Sequence, residues 1–379
     1  MKVVLIAKTL NKGGAASGAR NLIAALLAAG VEVIALDGYA ELLKGHLRYF
    51  RTTERILERV LFDAETHCFK FAPAVFDLRK IYDKYLPDVI QLCDVSGNTI
   101  NFSDICRVPC PVIHRLSDCW PYSGAHHYPI ASSFKWAVAN QVLRRSIFNC
   151  VDVPYCCVAP SHWLAKQLSF NRIEVILNSV QIPNFSRPKK LSPGILRFGF
   201  IAGNVLDSRK GFTQLPILLE ALTDFIDCDI ELHIFGLVSN KVDFSFKKFT
   251  ANFHPPFNSS ELSKVYNTFD ILLCPSSYDN SPNVVTEALA YGLPVIGQTN
   301  TGMNSYISDE TGALIDFYGS DARAVKEFVY VVERILKLYH KISCNALEYS
   351  KANLAPIIIG SKYLSLYKEL IRNKVNYSS

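Results

Sequence analysis

Short apolar segments alternate with helix-forming segments along this chain, and this alternation constrains the fold more than any other feature. In the first part of the chain, apolar strands are predicted at residues 3–7, 31–36, 88–92, 112–115 and 156–159. Helix-forming stretches separate these strands, beginning with Ala19–Ala29, which Gly30 ends. Such alternation is typical of a parallel sheet covered by helices on both faces, so the sequence predicts an α/β fold.

A segment rich in proline and cations interrupts the alternation, after which the pattern begins again. This segment, IPNFSRPKKLSPG, occupies residues 182–194 and is interpreted as a linker. Beyond it, strands are predicted at 196–202, 230–235, 271–274 and 294–297, with helices over 211–222, 260–268 and 282–290. We therefore expect two Rossmann-like domains with parallel sheets facing across a cleft. The expected division is 1–181, the linker 182–194, 195–355, and a terminal helix over 356–379 that returns to the first domain.

Composition excludes several classes of protein. Hydrophobic residues make up 49% of the 379 residues and charged residues 20%, which argues against a disordered chain. The longest uncharged apolar stretch, Leu22–Val31, falls short of the ~18–20 residues that span a bilayer. The odd number of cysteines, 11, predicts reduced and mostly buried thiols, and their spacing does not predict a metal site. We therefore expect a cytoplasmic protein without a bound metal.

Two polar segments follow predicted strands, at the edge where parallel sheets bind ligands. The first is rich in glycine and leads into a helix, so Gly13 and Gly14 are candidates to approach an anion. It lacks the dinucleotide and Walker A patterns, and the same glycine-rich pattern also fits a plain tight turn between a strand and a helix. The second, the loop GNVLDSRKG, ends near Arg209 and Lys210. These cations could neutralise a diphosphate leaving group, or they could form an ordinary solvated pair at a helix start.

The most informative segment is PSSYDNSPNVVTEALAYGLPVI, which begins at Pro275. It places Asp279 in a loop before a predicted helix and Glu287 inside that helix, with Pro282 expected as the first helical residue. A carboxylate near a helix N-terminus suits the hydroxyls of a ribose or sugar, while the free amides suit phosphate. Because the neighbours of Glu287 are apolar, a charged side chain there needs a partner.

The Asp279-x7-Glu287 spacing resembles the E-x7-E motif of the GT-B glycosyltransferases of family four, in the variant whose first acid is aspartate. The resemblance covers nearly the whole chain and is carried, in order, by GGAASGA, HRLSDCWPYSG, VAPSHWLAKQL, VLDSRKGF, LHIFG, LSKVYNTFDILLCPS and TGALID. The chain is most similar to the bacterial branch that builds capsule, colanic-acid or O-antigen repeats. The resemblance implies a GT-B fold and transfer from a nucleotide-sugar, a UDP- or GDP-sugar, with retention of anomeric configuration and with no metal or cofactor.

The resemblance also implies roles for individual residues. Glu287 would hold the ribose hydroxyls, and Arg209 and Lys210 would neutralise the diphosphate and act in catalysis. Asn204 stands where many members have arginine, so either Arg209 takes over that role or the site is weaker. The residues that would contact the donor are Gly13, Gly14, Asp279, Ser281, Asn283, Val284 and Glu287.

A second departure from the family lies on the acceptor side. Ser117 precedes Asp118 where the related branch has histidine, so a catalytic histidine is not carried over. Asp118 matches the pattern and is the first candidate for a catalytic polar group facing the reacting sugars. Ser117, His126 and His127 are further candidates for the acceptor side, although each histidine is more often a surface or structural residue.

Five cations in the first domain share one face of a predicted amphipathic helix. The first 190 residues carry 23 lysines and arginines against 15 acidic residues. The face is either a solvated surface or a docking site for anionic lipid, at ~1 kcal/mol per cation. Membrane docking on the inner face of the cytoplasmic membrane is favoured over nucleic acid, because no recognition motif accompanies the charge. The five residues are Lys44, Arg48, Arg51, Arg55 and Arg59.

These observations favour a retaining glycosyltransferase that moves a sugar from a nucleotide-sugar to a cell-envelope glycan, with a lipid-linked acceptor. Another GT-B enzyme, such as a nucleotide-sugar epimerase or a phosphorylase, agrees less well with the order of motifs or the length. A catalytically silent protein that binds nucleotide or glycan stays open, because the usual arginine and histidine are replaced. Catalytic turnover distinguishes the glycosyltransferase hypothesis from the hypothesis of a catalytically silent binding protein.

Overall fold

A computed structural model shows two compact units, each built on one β-sheet. It describes residues 1–43, 73–123, 127, 155–168, 172–184, 188–238, 246 and 248–377. The first unit comprises Met1–Ser179 together with Pro356–Ser379, and the second comprises Val180–Ala355. The chain therefore leaves the first unit after Ser179 and re-enters it at Pro356.

The strands of the described residues form two six-stranded sheets, and neighbouring strands run parallel throughout. The α/β fold with two Rossmann-like sheets is therefore confirmed. In chain order the strands are β1 (Lys2–Ala7), β2 (Glu32–Asp37), β3 (Val89–Leu92), β4 (Val112–Arg115), β5 (Tyr155–Ala159), β6 (Ile173–Val175), β7 (Ile195–Asn204), β8 (Asp229–Leu237), β9 (Thr250–His254), β10 (Ile271–Cys274), β11 (Val295–Gln298) and β12 (Gly312–Ile315).

The helices of the described residues connect these strands and end the chain. They are α1 (Gly14–Ala28), α2 (Gly38–Leu43), α3 (Leu78–Tyr85), α4 (Trp120–Ser123), α5 (His162–Gln167), α6 (Leu215–Leu222), α7 (Leu262–Tyr266), α8 (Asn283–Ala290), α9 (Asp321–Asn353) and α10 (Pro356–Tyr377). Within the ranges that the structure covers, no helix combines the length and apolar character needed to cross a membrane.

Each sheet reverses its strand order at one point, and that point fixes where a ligand is expected. The first sheet has the order β2-β1-β3-β4-β5-β6, and the second has the order β12-β11-β10-β7-β8-β9. The reversals lie between β1 and β3 and between β10 and β7. In open α/β sheets, ligands bind outside the carboxyl ends of the strands at such reversals.

Buried apolar side chains cover the sheets and hold the elements in place. In the second unit, one continuous core joins the sheet to helices α6 and α9. In the first unit, α1 and the returning helix α10 pack together over one face of the sheet. A Cβ atom at Gly360 of α10 would lie 1.9 Å from the carbonyl oxygen of Ala25 in α1, so these two backbones approach as closely as glycine allows.

Candidate active site

The loops that follow β7 and β10 build a polar site at the order reversal of the second sheet. The loop after β7 contains the 3₁₀ turn Ser208–Lys210, which holds both predicted cations. The loop after β10 contains Asp279 and leads into α8. Two backbone hydrogen bonds fix these loops in place: Ser277 N–H donates to the Arg209 carbonyl at 2.9 Å, and Gly302 N–H donates to the Asp279 carbonyl at 2.8 Å.

Both predicted cations are held by carboxylates. The guanidinium of Arg209 donates to Asp207 through Nε at 3.1 Å and through Nη2 at 2.6 Å. The Lys210 ammonium donates to Asp279 Oδ2 at 2.8 Å. Burial alone would lower the pKa of Lys210, but the Asp279 carboxylate outweighs burial and raises it, so the ammonium stays charged. The structure thus holds the two cations in two oriented ion pairs, Arg209 with Asp207 and Lys210 with Asp279.

Glycine makes the tight backbone between these elements possible. Gly211 ends the cationic turn with φ of 71°, a left-handed conformation that favours glycine. A Cβ atom there would also lie 2.4 Å from the Tyr318 hydroxyl and 2.5 Å from the Pro275 carbonyl. The cationic turn and the end of β10 therefore pack without room for a side chain.

Helix α8 begins one residue later than predicted. Pro282 is the N-cap with an extended backbone, and Asn283 is the first helical residue. The expectation that Pro282 opens the helix was wrong by one position. Ser281 immediately precedes the cap, and its hydroxyl hydrogen-bonds the Tyr306 hydroxyl at 2.6 Å. Asn283 and Val284 lie in the first turn, where backbone amides and the helix dipole favour an anion.

Glu287 lies on α8 and has the partner that its apolar surroundings require. The Tyr266 hydroxyl donates to Glu287 Oε2 at 2.7 Å. Burial raises the pKa of Glu287 to about 7, although the hydrogen bond from Tyr266 acts in the opposite direction. The carboxyl group is therefore poised between its charged and neutral forms near neutral pH.

Two further candidates lie at the glycine-rich turn of the first unit. Gly13 has φ of 98° and is the N-cap of α1, and Gly14 is the first residue of that helix. The predicted start at Ala19 was wrong, because the glycine-rich segment itself is helical from Gly14 onward. The Gly13 carbonyl accepts a hydrogen bond from the Ser17 N–H at 3.0 Å, and this bond closes the first helical turn.

A second polar cluster lies at the carboxyl ends of β1, β3 and β4. The Asp118 carboxylate bonds His127 Nδ1 through Oδ2 at 2.5 Å and accepts the Trp120 N–H through Oδ1 at 2.8 Å. Burial lowers the pKa of His127, but the nearby Asp118 and Asp94 carboxylates outweigh it and raise the pKa above its ordinary value. Lys8, which donates to Ser96 at 2.9 Å, completes the cluster.

Sequence reasoning missed several members of these sites. Asp207 lies only two residues before Arg209, which is the spacing that allows a local carboxylate to hold the guanidinium. Tyr266 lies in the segment LSKVYNTFDILLCPS, but its sequence neighbours do not indicate that its hydroxyl contacts Glu287. Ser117 follows β4 and is partly buried beside Asp118. The remaining candidates fall outside the described residues: His126, Lys44, Arg48, Arg51, Arg55 and Arg59.

Comparison with known proteins identifies the domain that carries the first of these sites. The sequence family described as Glycosyl transferases group 1 matches residues 200–373. The chain therefore carries a group 1 glycosyltransferase domain, which begins within β7 of the second unit and includes most of α10 of the first. The match includes the cationic turn, Asp279 and Glu287, so the paired cations and the half-buried glutamate lie within that domain.

Relatives of this chain are distant in sequence. An "Uncharacterized 41.2 kDa protein in cps region" of Klebsiella pneumoniae is 25% identical over 189 residues, which are 46% of this chain and 51% of that protein. The chain thus aligns with about half the length of this curated relative.

Solved structures match nearly the whole fold. Sucrose-phosphate synthase from Thermosynechococcus elongatus has a TM-score of 0.65 and 16% identity, over 98% of this chain and 100% of that one. HepE of Anabaena has a TM-score of 0.63 with UDP bound and 0.62 with UDP-glucose bound. Identity to HepE is 16% and 15%, over 97% of this chain and 100% of that one. These neighbours establish the GT-B fold of two Rossmann-like domains.

Proposed function

We propose that this chain transfers a sugar from a nucleotide-sugar, a UDP- or GDP-sugar, to a lipid-linked intermediate of a cell-envelope glycan. The observation that carries the proposal is the pair of carboxylate-held cations in the loops at the order reversal of the second sheet, where the loop after β10 leads into the helix that contains Glu287. The group 1 domain over residues 200–373 supports the reaction class. The UDP and UDP-glucose complexes of HepE support the donor class, and the cps-region relative supports an envelope glycan.

The chemistry of transfer requires charge stabilisation on the leaving group. When the bond between the anomeric carbon and the diphosphate breaks, negative charge develops on the departing nucleoside diphosphate. Cations oriented before the reaction stabilise that charge without further reorganisation. Arg209 and Lys210 are oriented in this way, because Asp207 and Asp279 hold them at 2.6 and 2.8 Å. We assign to them the role that a metal ion has in other transferases.

The remaining donor contacts follow from the positions of polar groups around the same loops. Asp279 and Ser281 offer side-chain oxygens to sugar hydroxyls, and the first turn of α8 at Asn283 and Val284 offers backbone amides to phosphate. Glu287 offers a carboxyl group to the ribose. In the first unit, the Asp118–His127 pair is proposed as a site for hydroxyl groups of the acceptor. Retention of anomeric configuration is part of the proposal through the family resemblance.

A catalytically silent nucleotide-binding protein is the second candidate. It is favoured by Asn204 and Ser117, which stand where related enzymes carry arginine and histidine. Such a protein would bind nucleotide through the second unit and would release no product.

The first test is nucleotide binding. We expect UDP or GDP to raise the melting temperature, because a ligand at ~100 times its Kd adds ~2.7 kcal/mol of stability. ADP and CMP serve as comparison nucleotides. Failure of every nucleotide to stabilise the protein would contradict the proposed donor site.

The second test is turnover, measured as nucleoside diphosphate released from the donor that stabilises the protein, with a lipid-linked acceptor. The double variant Arg209→Ala/Lys210→Ala should lose at least ~10²-fold in kcat, with a smaller change in KM. The reason is that the charge stabilised by the two native cations develops in the transition state. The matched control is Lys337→Ala/Lys341→Ala, which removes two exposed cations of α9. Near-normal turnover of the first variant would place the diphosphate elsewhere, and no turnover by the native protein would favour the silent alternative.

A further inference from the structure

Tyr266 ends the short helix α7 and is fully buried in the second unit. Its ring stacks on Tyr291 with centroids 5.2 Å apart and meets the edge of Phe269 at 5.9 Å. Aromatic contacts of this kind hold a ring in one orientation. These contacts therefore hold the Tyr266 hydroxyl in one position beside α8.

In this position the hydroxyl forms a hydrogen bond with one oxygen of the Glu287 carboxyl group. The Tyr266 hydroxyl lies 2.7 Å from Glu287 Oε2 and 3.4 Å from the Val284 carbonyl. Among the residues that the structure describes, the other oxygen, Oε1, accepts no hydrogen bond. The carboxyl group is thus anchored on one side and available on the other.

We propose that Tyr266 is the positioning residue for Glu287: it fixes the carboxylate through Oε2 and directs Oε1 towards a vicinal diol, such as the ribose of a nucleotide. This inference rests on the proposed function, since it assumes that a nucleotide occupies the second unit. Beyond the proposed function, the inference assigns a role to Tyr266, which lies outside the loops of the donor site. It also makes nucleotide affinity depend on the protonation of Glu287.

The dependence on protonation follows from the surroundings of the pair. Burial raises the pKa of Glu287 to about 7, and the bond donated by Tyr266 favours the charged form. The other titratable groups that face the pair are Tyr291, beyond the end of α8, and Cys274, at the end of β10. Burial raises the pKa of Tyr291, and it raises the pKa of Cys274 to about 11, so both are neutral near pH 7. Within the described ranges no cation forms an ion pair with Glu287.

A charged carboxylate is the stronger acceptor for hydroxyl groups, so nucleotide affinity should follow its ionisation. The sign is fixed by the raised pKa: affinity increases as pH rises through about 7. Loss of the Tyr266 hydroxyl removes the group that favours the charged form, so the midpoint of this increase should move to higher pH.

The test measures the Kd of UDP-glucose by calorimetry between about pH 6 and about pH 8.5, since its diphosphate diester does not titrate in that range. The native protein should bind about tenfold more tightly at pH 8 than at pH 6. For a midpoint shifted by about one pH unit, Tyr266→Phe should bind about fivefold more weakly at pH 7 and within about twofold of the native protein at pH 8.5. Glu287→Gln should bind weakly at every pH.

Matched variants separate positioning from simple loss of packing. Tyr339→Phe removes another buried hydroxyl of the same unit, which donates to the Asp270 carbonyl at 2.9 Å, and it should follow the native curve. The native protein alone supplies a second readout: near pH 7 it should release about half a proton on binding UDP-glucose, as shown by calorimetry in two buffers.

Two results would overturn the inference while the proposed function stands. One is a Tyr266→Phe curve that coincides with the native curve when Glu287→Gln is weakened. The other is binding by the native protein without proton release. If the native protein binds neither UDP-glucose nor GDP-glucose at any pH, the proposed function itself fails and the inference fails with it.

Discussion

At the scale of single residues, the Asp118–His127 pair makes the stability of the first unit depend on pH. The pKa of His127 is raised above its ordinary value, because the Asp118 and Asp94 carboxylates outweigh the effect of burial. A raised pKa in the folded state stabilises the fold while the imidazole is charged, and this contribution is lost as pH rises through the raised pKa. Asp118→Asn keeps an oxygen for the Trp120 N–H but removes the charge. We expect a loss of about 1–2 kcal/mol near pH 6 and a smaller loss near pH 9.

Urea unfolding at both pH values measures this difference. The control is Asp83→Asn, whose carboxylate forms an exposed ion pair with Arg79 at 3.2 Å and faces no histidine in that pair. The control should lose little stability at either pH, because exposed ion pairs contribute little. Equal losses for Asp118→Asn near pH 6 and pH 9 would show that the pair carries no charge-dependent stability.

The sequence could indicate some of these residues but not their partners. Asp118 could be identified from the HRLSDCWPYSG motif, whereas the spacing of nine residues does not by itself predict its hydrogen bond to His127. Tyr266 was missed for a physical reason: an aromatic residue on a short amphipathic helix predicts burial, and burial does not reveal which group its hydroxyl contacts. The Lys210–Asp279 pair joins residues far apart in sequence, and only the adjacency of β7 and β10 brings them together.

At the scale of elements, the 3₁₀ turn Gly302–Ser305 supports the loop that contains Asp279. Gly302 N–H donates to the Asp279 carbonyl at 2.8 Å. A Cβ atom at Gly302 would lie 1.6 Å from the carbonyl oxygen of Asn280, so a side chain there must displace the loop. Gly302→Ala should therefore cost about 1–3 kcal/mol of stability and weaken donor binding as well.

Thermal unfolding and UDP-glucose binding measure the two effects. Gly319→Ala is the matched control, because the nearest atom to its added Cβ would lie at an ordinary distance of 3.5 Å. The control should retain both stability and affinity. A Gly302→Ala protein as stable as the control would mean that the loop adjusts freely, and the turn would then have no supporting role.

Element prediction succeeded for the fully buried strands and for the edge strand β2, and it missed the other three edge strands. The predicted ranges 112–115 and 271–274 coincide with β4 and β10, whose residues are all buried. The edge strands β6, β9 and β12 were not predicted. The residues of β6 and β9 are mostly half-buried or exposed and lack an apolar run, whereas β12 is mostly buried but short and begins with glycine. The start of α1 was predicted too late because glycine usually marks a turn, whereas here Gly13 is the N-cap with φ of 98° and Gly14 is already helical.

At the scale of the whole molecule, charge is unevenly distributed along the chain. The first 190 residues carry 23 cations against 15 acidic residues, whereas the remaining residues carry 17 against 19. The stripe Lys44, Arg48, Arg51, Arg55 and Arg59 contributes five of the cations and lies outside the described residues, so membrane docking stays a prediction from sequence. If the acceptor is lipid-linked, as proposed, docking on the membrane would bring the protein close to it.

Binding to lipid vesicles tests that prediction. If the stripe docks on lipid, binding should require anionic headgroups and weaken as salt shortens the Debye length from ~10 Å at 0.1 M to ~3 Å at 1 M. Arg51→Glu/Arg55→Glu should release the protein from anionic vesicles, whereas Lys337→Glu/Lys341→Glu, a reversal of equal size on the second unit, should not. Transfer to a short water-soluble acceptor should survive in both variants, because neither changes the proposed donor site. Equal binding to neutral and anionic vesicles, or no binding to either, would mean that the stripe is a solvated surface.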